Sequence, residues 1–334
     1  MMSSHRKNLL LLMVSTTLSL LLLELGYRWY LFGLSAALSV EKLDSIRPTG
    51  ESGLIRRSEH REIGYEYRPN LDTYFKLAPF STNSLGLRDR EYAPAKPPRT
   101  FRVAVIGDSF TVPAGIDLEH AYHTLLERWW NERSADVVHE SVNFAVGGYS
   151  LRQYAAVLEH KALEYDPDVI LIGYCPENDH LVTSERSFEN WTPRPPTRPF
   201  SSSFVIKGLK QVFGPRQERA SGFKPAEVAY MDQMFGKIAA LASPRNIPVV
   251  VVYLATGPDD PSAERLRGIV EARGLHFVDT SPAFEHSRSG GYAIYALDGH
   301  PNASAHEIYA RLIDDYLTKA GIATLSDADS VAVE

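Results

Sequence analysis

Five positions in the chain carry groups that together could break an ester. They are Ser109 in Gly107-Asp108-Ser109-Phe110, Gly148 in 143–150 (NFAVGGYS), Asn178 in Glu177-Asn178-Asp179, and Asp298 with His300 in Asp298-Gly299-His300-Pro301. A serine hydroxyl is a poor nucleophile until a base removes its proton. His300, on the loop before the last helical stretch, is the candidate base. Asp298, two residues earlier, is the candidate for the carboxylate that fixes the imidazole tautomer and stabilises imidazolium. The oxyanion that forms on attack needs preorganised donors, for which the N–H groups of Ser109 and Gly148 and the side-chain amide of Asn178 are the candidates. Alone, each fragment has a plainer reading. DGHP is a turn sequence, a Gly-Gly pair often just opens a helix, and asparagine is common in loops. Their order carries the weight: serine after the first apolar run, glycine after the second, asparagine after the third, histidine after the last. The other ten of the 11 histidines fall in predicted helices, strands or flanking segments, with His306 the nearest rival for the base. A GxSxG nucleophile elbow is absent, despite the shared Ser, Asp, His chain order.

These groups need a scaffold that brings distant loops together. Apolar runs at 101–106, 137–144, 168–174, 248–254 and 275–278 are rich in Val and Ile, as expected of parallel strands covered on both faces. Helical patterns lie between them, at Leu118 to Arg133, Leu151 to Tyr165, Pro225 to Ala242, Pro261 to Arg273 and Ala303 to Lys319. The alternation predicts a doubly wound α/β sandwich. All strands of a parallel sheet end on one edge, so the four motifs converge there on one crevice. The stretch from His180 to Phe223, with Pro193, Pro195, Pro196 and Pro199 followed by Ser201 to Ser203, is too long for an ordinary connection. It reads either as an insertion that covers the site or touches a membrane, or as a disordered segment.

The 334 residues, 44% of them hydrophobic, suffice for one large core. A formal net charge of −6, with no long Lys/Arg run outside the extreme N-terminus, argues against a nucleic-acid partner. The single cysteine, Cys175, excludes an intramolecular disulfide and a CxxC zinc site, and its apolar surroundings favour packing over reactivity. At the N-terminus, His5-Arg6-Lys7 precede an apolar run from Leu9 to Leu23, which Glu24 and Arg28 interrupt before Trp29 to Leu34 resumes it. Basic residues ahead of the run predict a cytoplasmic start and export of the rest. An uncleaved anchor with Tyr27, Trp29 and Tyr30 as interfacial aromatics is the favoured reading. A cleaved signal peptide is the alternative, with small residues at Ser35 and Ala37. The chain thus divides into a cytoplasmic tip and anchor (1–35), a stalk with irregular structure packed on the domain (36–100), the α/β domain (101–322, insertion at about 180–223) and a tail (323–334).

From Phe101 to the final helix the chain resembles the SGNH hydrolases, also called GDSL-type esterases. The resemblance implies a three-layer α/β/α sandwich with a flavodoxin-like parallel sheet, Ser109 as nucleophile, Gly148 and Asn178 as oxyanion donors, and Asp298 and His300 as the rest of the triad. The sequence departs from the pattern in three places. It has GDSF where GDSL is usual, Pro176-Glu177-Asn178-Asp179 where GxND is usual, and Asp-Gly-His in place of DxxH, with Leu297 at the usual aspartate position. The last spacing is similar to that of alginate O-acetyltransferase-like members. Asn83 to Glu91 (NSLGLRDRE) also resembles a segment that precedes the GDS block in membrane-anchored bacterial members. The activity implied by the resemblance is that of a serine esterase working through an acyl-enzyme, without cofactor or metal. Its expected substrate is an acylated envelope or exported carbohydrate, and its expected place the bacterial inner membrane, single-pass, with a periplasmic domain beside envelope polysaccharide machinery. Two alternatives stay open: a carbohydrate O-acetyltransferase with the same triad, and a non-catalytic carbohydrate-binding or assembly protein.

Overall fold

The computed structural model describes residues 4–182, 203–214, 222–258, 260–284 and 291–322. Its centre is a five-stranded sheet of β5 (Thr100–Gly107), β6 (Val138–Asn143), β7 (Val169–Tyr174), β8 (Val249–Tyr253) and β9 (His276–Asp279), in the order β6-β5-β7-β8-β9. Every pairing is parallel. This is the expected flavodoxin-like arrangement, in which the chain leaves its first strand to one side and then continues on the other. β5, β7 and β8 are buried at every position, which their Val/Ile composition foreshadows. Burying one such side chain contributes about 1.5–3 kcal/mol relative to exposure, so these strands dominate the core.

Helices cover the sheet. α3 (Tyr122–Arg133) packs with α8 (Ala303–Lys319), while α4 (Leu151–His160), α6 (Pro225–Ala242) and α7 (Pro261–Glu271) pack in series. α6 and α8 have the bounds their patterns predict. The predicted helix at 118–133 does not run unbroken: Leu118–His120 is a 3-10 turn, Ala121 is extended, and α3 starts afresh. The Tyr122 N–H is donated to His306 Nδ1 at 3.3 Å, which takes it out of the helical ladder. Likewise α4 stops at His160, and 162–165 is a 3-10 turn ending at a left-handed Asp166.

Residues 36–100, expected as a stalk with irregular structure packed on the domain, contain short regular elements. After the short α2 (Val40–Asp44), β1 (Ile55–Arg57) pairs with β2 (Tyr65–Tyr67), and β3 (Asp72–Phe75) with β4 (Ala78–Ser81), both antiparallel. Ile63, Tyr67, Phe75 and Phe80 are as buried as the strands of the main sheet and belong to the same core. Another two-stranded ribbon, β10 (Ala293–Tyr295) with β11 (Asp298–Pro301), precedes α8.

α1 (Ser4–Ala37, 34 residues) is a helix long and apolar enough to cross a membrane, with non-helical backbone at Gly33. In the predicted insertion, α5 (Phe204–Phe213) is helical and packs on α1. The rest of that insertion, at 183–202 and 215–221, and the predicted tail at 323–334 lie outside the described residues.

Candidate active site

The turn after β5 is built around two glycines. Gly107 and Gly173 face each other in register at the ends of β5 and β7. A methyl group at Gly107 or Gly173 would stand 2.2 or 2.1 Å from Thr111 Oγ1, so only glycine leaves the slot into which Thr111 folds back. Asp108 then accepts the Phe110 N–H at 2.8 Å on its carboxylate, and the Val112 N–H at 2.9 Å on its carbonyl. The result is a tight turn that leaves Ser109 half-exposed at the sheet edge, where the strand order reverses.

His300 reaches this serine from the β10–β11 ribbon, which replaces the expected loop. Its Nε2 lies 2.8 Å from Ser109 Oγ, and its Nδ1 is hydrogen-bonded to Asp298 Oδ1. The same carboxylate oxygen accepts the His300 backbone N–H at 3.1 Å, so one residue fixes both ring and backbone. The pairing of Nδ1 with a carboxylate leaves Nε2 as the acceptor facing the hydroxyl. Ser109, His300 and Asp298 are therefore brought together in the order needed for proton transfer. The rival His306 is not: it lies wholly buried, accepts the Tyr122 N–H, and stacks on the Tyr122 ring. Burial, with a smaller electrostatic influence of His123 and Arg88, pushes its imidazole down to about 3.

Asn178 lies within the turn after β7. Asp179 is wholly buried, accepts the Cys175 N–H at 2.7 Å, and takes the Tyr154 hydroxyl on both oxygens at 2.9 and 3.0 Å. The turn is thereby pinned to α4. Asn178 Nδ2 donates one N–H to Asp108 Oδ2 at 3.1 Å, leaving its second amide hydrogen for another acceptor. Cys175 is buried, with its thiol pushed well up by desolvation, consistent with packing.

Gly148 lies exposed on the turn after β6, the strand beside β5. Its φ of +81° is the left-handed region that favours glycine. β2 clamps the preceding residue: Gly147 N–H donates to the Tyr67 hydroxyl at 3.0 Å, and the Tyr65 hydroxyl donates to the Gly147 carbonyl at 3.1 Å.

Two further contributors were not recognised as site residues in the sequence. Lys76, at the tip of the β3–β4 hairpin, donates to Asp298 Oδ2 and lies 3.3 Å from His300 Nδ1. Lys76 and Leu77 both have positive φ, +49° and +74°, a conformation side chains rarely adopt. Ser45 holds it, accepting the Lys76 N–H at 3.0 Å and the Leu77 N–H at 2.9 Å. Burial pushes the Asp298 carboxyl up, but His300 and Lys76 outweigh that and hold it well below the usual carboxylate range. The second is Arg88, from the NSLGLRDRE segment. Its buried guanidinium donates to the carbonyls of Val112, Pro113 and Ile116, and to Pro79, so it clamps the loop after Ser109. The segment itself was visible in sequence, whereas nothing local marks Lys76.

Among known proteins, the model of the GDSL-like Lipase/Acylhydrolase family matches residues 105–308. Similar solved structures include LAE5, an alpha/beta hydrolase enzyme from the metagenome of Lake Arreo, Spain, at 17% identity over 67% of this chain and 96% of that one, TM-score 0.42. The acetylxylan esterase Axe2 from Geobacillus stearothermophilus, as a catalytic mutant, is similar at 16% identity over 67% and 94%, TM-score 0.40. The two-domain esterase CEX, active on acetylated mannans, is similar at 16% identity over 66% of this chain and 49% of that one, TM-score 0.45. No curated protein sequence matches.

Proposed function

This chain belongs to the GDSL-like lipase/acylhydrolase family and is an ester-cleaving hydrolase, and we propose that it deacylates a carbohydrate of the bacterial envelope by a serine mechanism. The observation that carries the mechanism is the contact of 2.8 Å between His300 Nε2 and Ser109 Oγ. Ser109 Oγ attacks the ester carbonyl as Nε2 takes its proton, and Asp298 stabilises the imidazolium. The carbonyl electrons collect on the oxyanion, which accepts from the N–H groups of Ser109 and Gly148 and from the Asn178 amide. Collapse expels the sugar oxygen, which takes the proton from His300. Water, deprotonated by the same imidazole, then attacks the acyl-serine, and the free acid leaves as Ser109 regains its proton.

A polar acyl carrier is supported by the polar groups around the proposed triad, where Lys76 donates to Asp298, Asn178 to Asp108, and the Glu177 carboxylate approaches Gly299. The extracytoplasmic, single-pass placement is supported by the apolar α1 and the basic residues ahead of it. A transferase would share the first half-reaction and differ only in the acceptor. Incubating the full chain with an acetylated oligosaccharide, with and without an unacetylated one, separates the two by mass spectrometry. Hydrolysis predicts free acetate as the main product, at a rate indifferent to the acceptor. Acylated acceptor as the main product, with turnover dependent on it, would replace this reading by the transferase.

A further inference from the structure

Glu24 and Arg28 interrupt an apolar helix, where an ionisable pair calls for a partner. The Glu24 carboxylate faces the start of α5: it accepts from Ser203 Oγ at 2.6 Å, and from the Phe204 and Val205 N–H groups at 2.9 and 3.2 Å. The first N–H groups of a helix have no internal acceptors, so Glu24 caps α5 from a different element. Arg28 donates to Glu24 at 2.8 Å and lies over the Phe204 ring. A methyl group at Gly208 would stand 2.2 Å from the Tyr27 hydroxyl, so α5 approaches α1 as closely as glycine permits. The two helices form one packed unit.

Away from that unit α5 is amphipathic. Ile206, Leu209, Val212 and Phe213 are more than half exposed. At about 100° per residue, Ile206, Leu209 and Phe213 form one stripe, Phe204 and Gly208 point the other way, and Lys207 and Lys210 run along one flank. An apolar stripe bordered by lysines is the pattern of a helix lying in a membrane surface. The α1 side chains from Leu20 to Leu23, with Trp29 and Tyr30, are equally exposed and apolar. What covers α1 therefore extends to its packed neighbour.

We propose that α5 lies in the outer headgroup layer of the bilayer that α1 spans, with its stripe among the acyl chains and Lys207 and Lys210 at the lipid phosphates. This rests on α1 being retained as an anchor. The placement bears on the site: Phe32 of α1 packs edge-on against Tyr295 at 5.1 Å, and the Tyr295 hydroxyl donates to Asp298 at 3.3 Å. Gln211 of α5 donates to the Ala296 carbonyl at 2.9 Å. The ribbon that carries His300 is thus tied to both helices, and the catalytic groups work on esters at the bilayer surface.

The full chain, in a Cys175→Ala background and in vesicles of phosphatidylethanolamine and phosphatidylglycerol, tests this with a fluorophore on single cysteines. Phe213→Cys and Leu209→Cys report on the stripe, Leu20→Cys on α1, and the exposed Ser243→Cys on water. Nitroxide placed high on the lipid chains should quench the stripe positions several-fold more than Ser243→Cys. Quenching of Leu20→Cys, by nitroxide deep in the bilayer, with the stripe at the Ser243→Cys level would overturn the placement of α5 and leave the anchor standing. If the stripe then cross-linked between copies, its occupant would be a second chain. Leu20→Cys at the water level would overturn the anchor and the inference together.

Discussion

The parallel sheet and the residues before it, 54–92, meet at one site but hold it differently. The sheet fixes its loops through backbone register: Gly107 opposite Gly173, with the turns of Ser109, Gly148 and Asn178 following on adjacent strands. The earlier residues form ribbons of two short strands, which are marginal alone. They act through side chains that grip backbone elsewhere, Arg88 on the loop after Ser109 and Tyr65 and Tyr67 on Gly147. On the proposed mechanism the reacting atoms come from the sheet and the ribbon before α8, and their surroundings are adjusted by a region with no such atoms. Variants in the two regions should therefore fail in different ways.

The largest effects belong to the reacting groups. Ser109→Ala and His300→Ala should each lower kcat by about 10⁴-fold or more, with unchanged circular dichroism, because the two act as one unit. Asn178→Ala should lower kcat by about 100-fold, mainly without raising KM. His306→Ala should instead lower the melting temperature. Should it, while still folded, lose as much turnover as His300→Ala, the base has been misassigned.

Arg88→Met tests the gripping region through stability. It strips donors from the carbonyls of Val112, Pro113, Ile116 and Pro79. A buried polar group left unpaired costs about 1–3 kcal/mol, so a loss of about 3 kcal/mol is expected, read as a lower denaturant midpoint. An unchanged midpoint would reduce residues 54–92 to a covering.

The smallest effect is also the most diagnostic. Asp298 is held well below its ordinary range by His300 and Lys76, so its ionised form persists in the fold below that range, and the stability this contributes is lost progressively as pH falls from the ordinary carboxylate range to the lowered value. Lys76→Met removes one of the lowering influences. The acid limb of stability, read as the denaturant midpoint against pH, should then move to higher pH, and Lys76→Arg should restore it, while kcat/KM near neutrality falls about tenfold or less. An acid limb that stays in place would show that Lys76 does not hold the Asp298 carboxylate.

Legibility in sequence followed the same division. The strands at 101–106, 168–174 and 248–254 stood out because a buried parallel strand must be apolar on both faces, and the motifs were found by their position behind such runs. Where a long-range partner decides, the signal fades. Tyr122 breaks a predicted helix because its N–H goes to His306, and DGHP forms a strand because residues 293–295 lie alongside it. Strands of three or four residues, as in β1 to β4, are too short to show a period. Lys76 acts across a separation of 224 residues and owes its place to a strained hairpin tip. An ordinary polar turn would look the same on paper.

That separation also sets a time order. Ser109 and His300 stand 191 residues apart, and β6, β7, β8 and β9 must all be laid down between β5 and the ribbon that carries the imidazole. A chain made from its N-terminus exposes its serine early and its histidine only near the end. On the proposed mechanism Ser109 has no base until then, and Lys76 lacks its Asp298 partner. The growing polypeptide is chemically silent toward esters, and competence arrives in one late step when the final ribbon and helix dock.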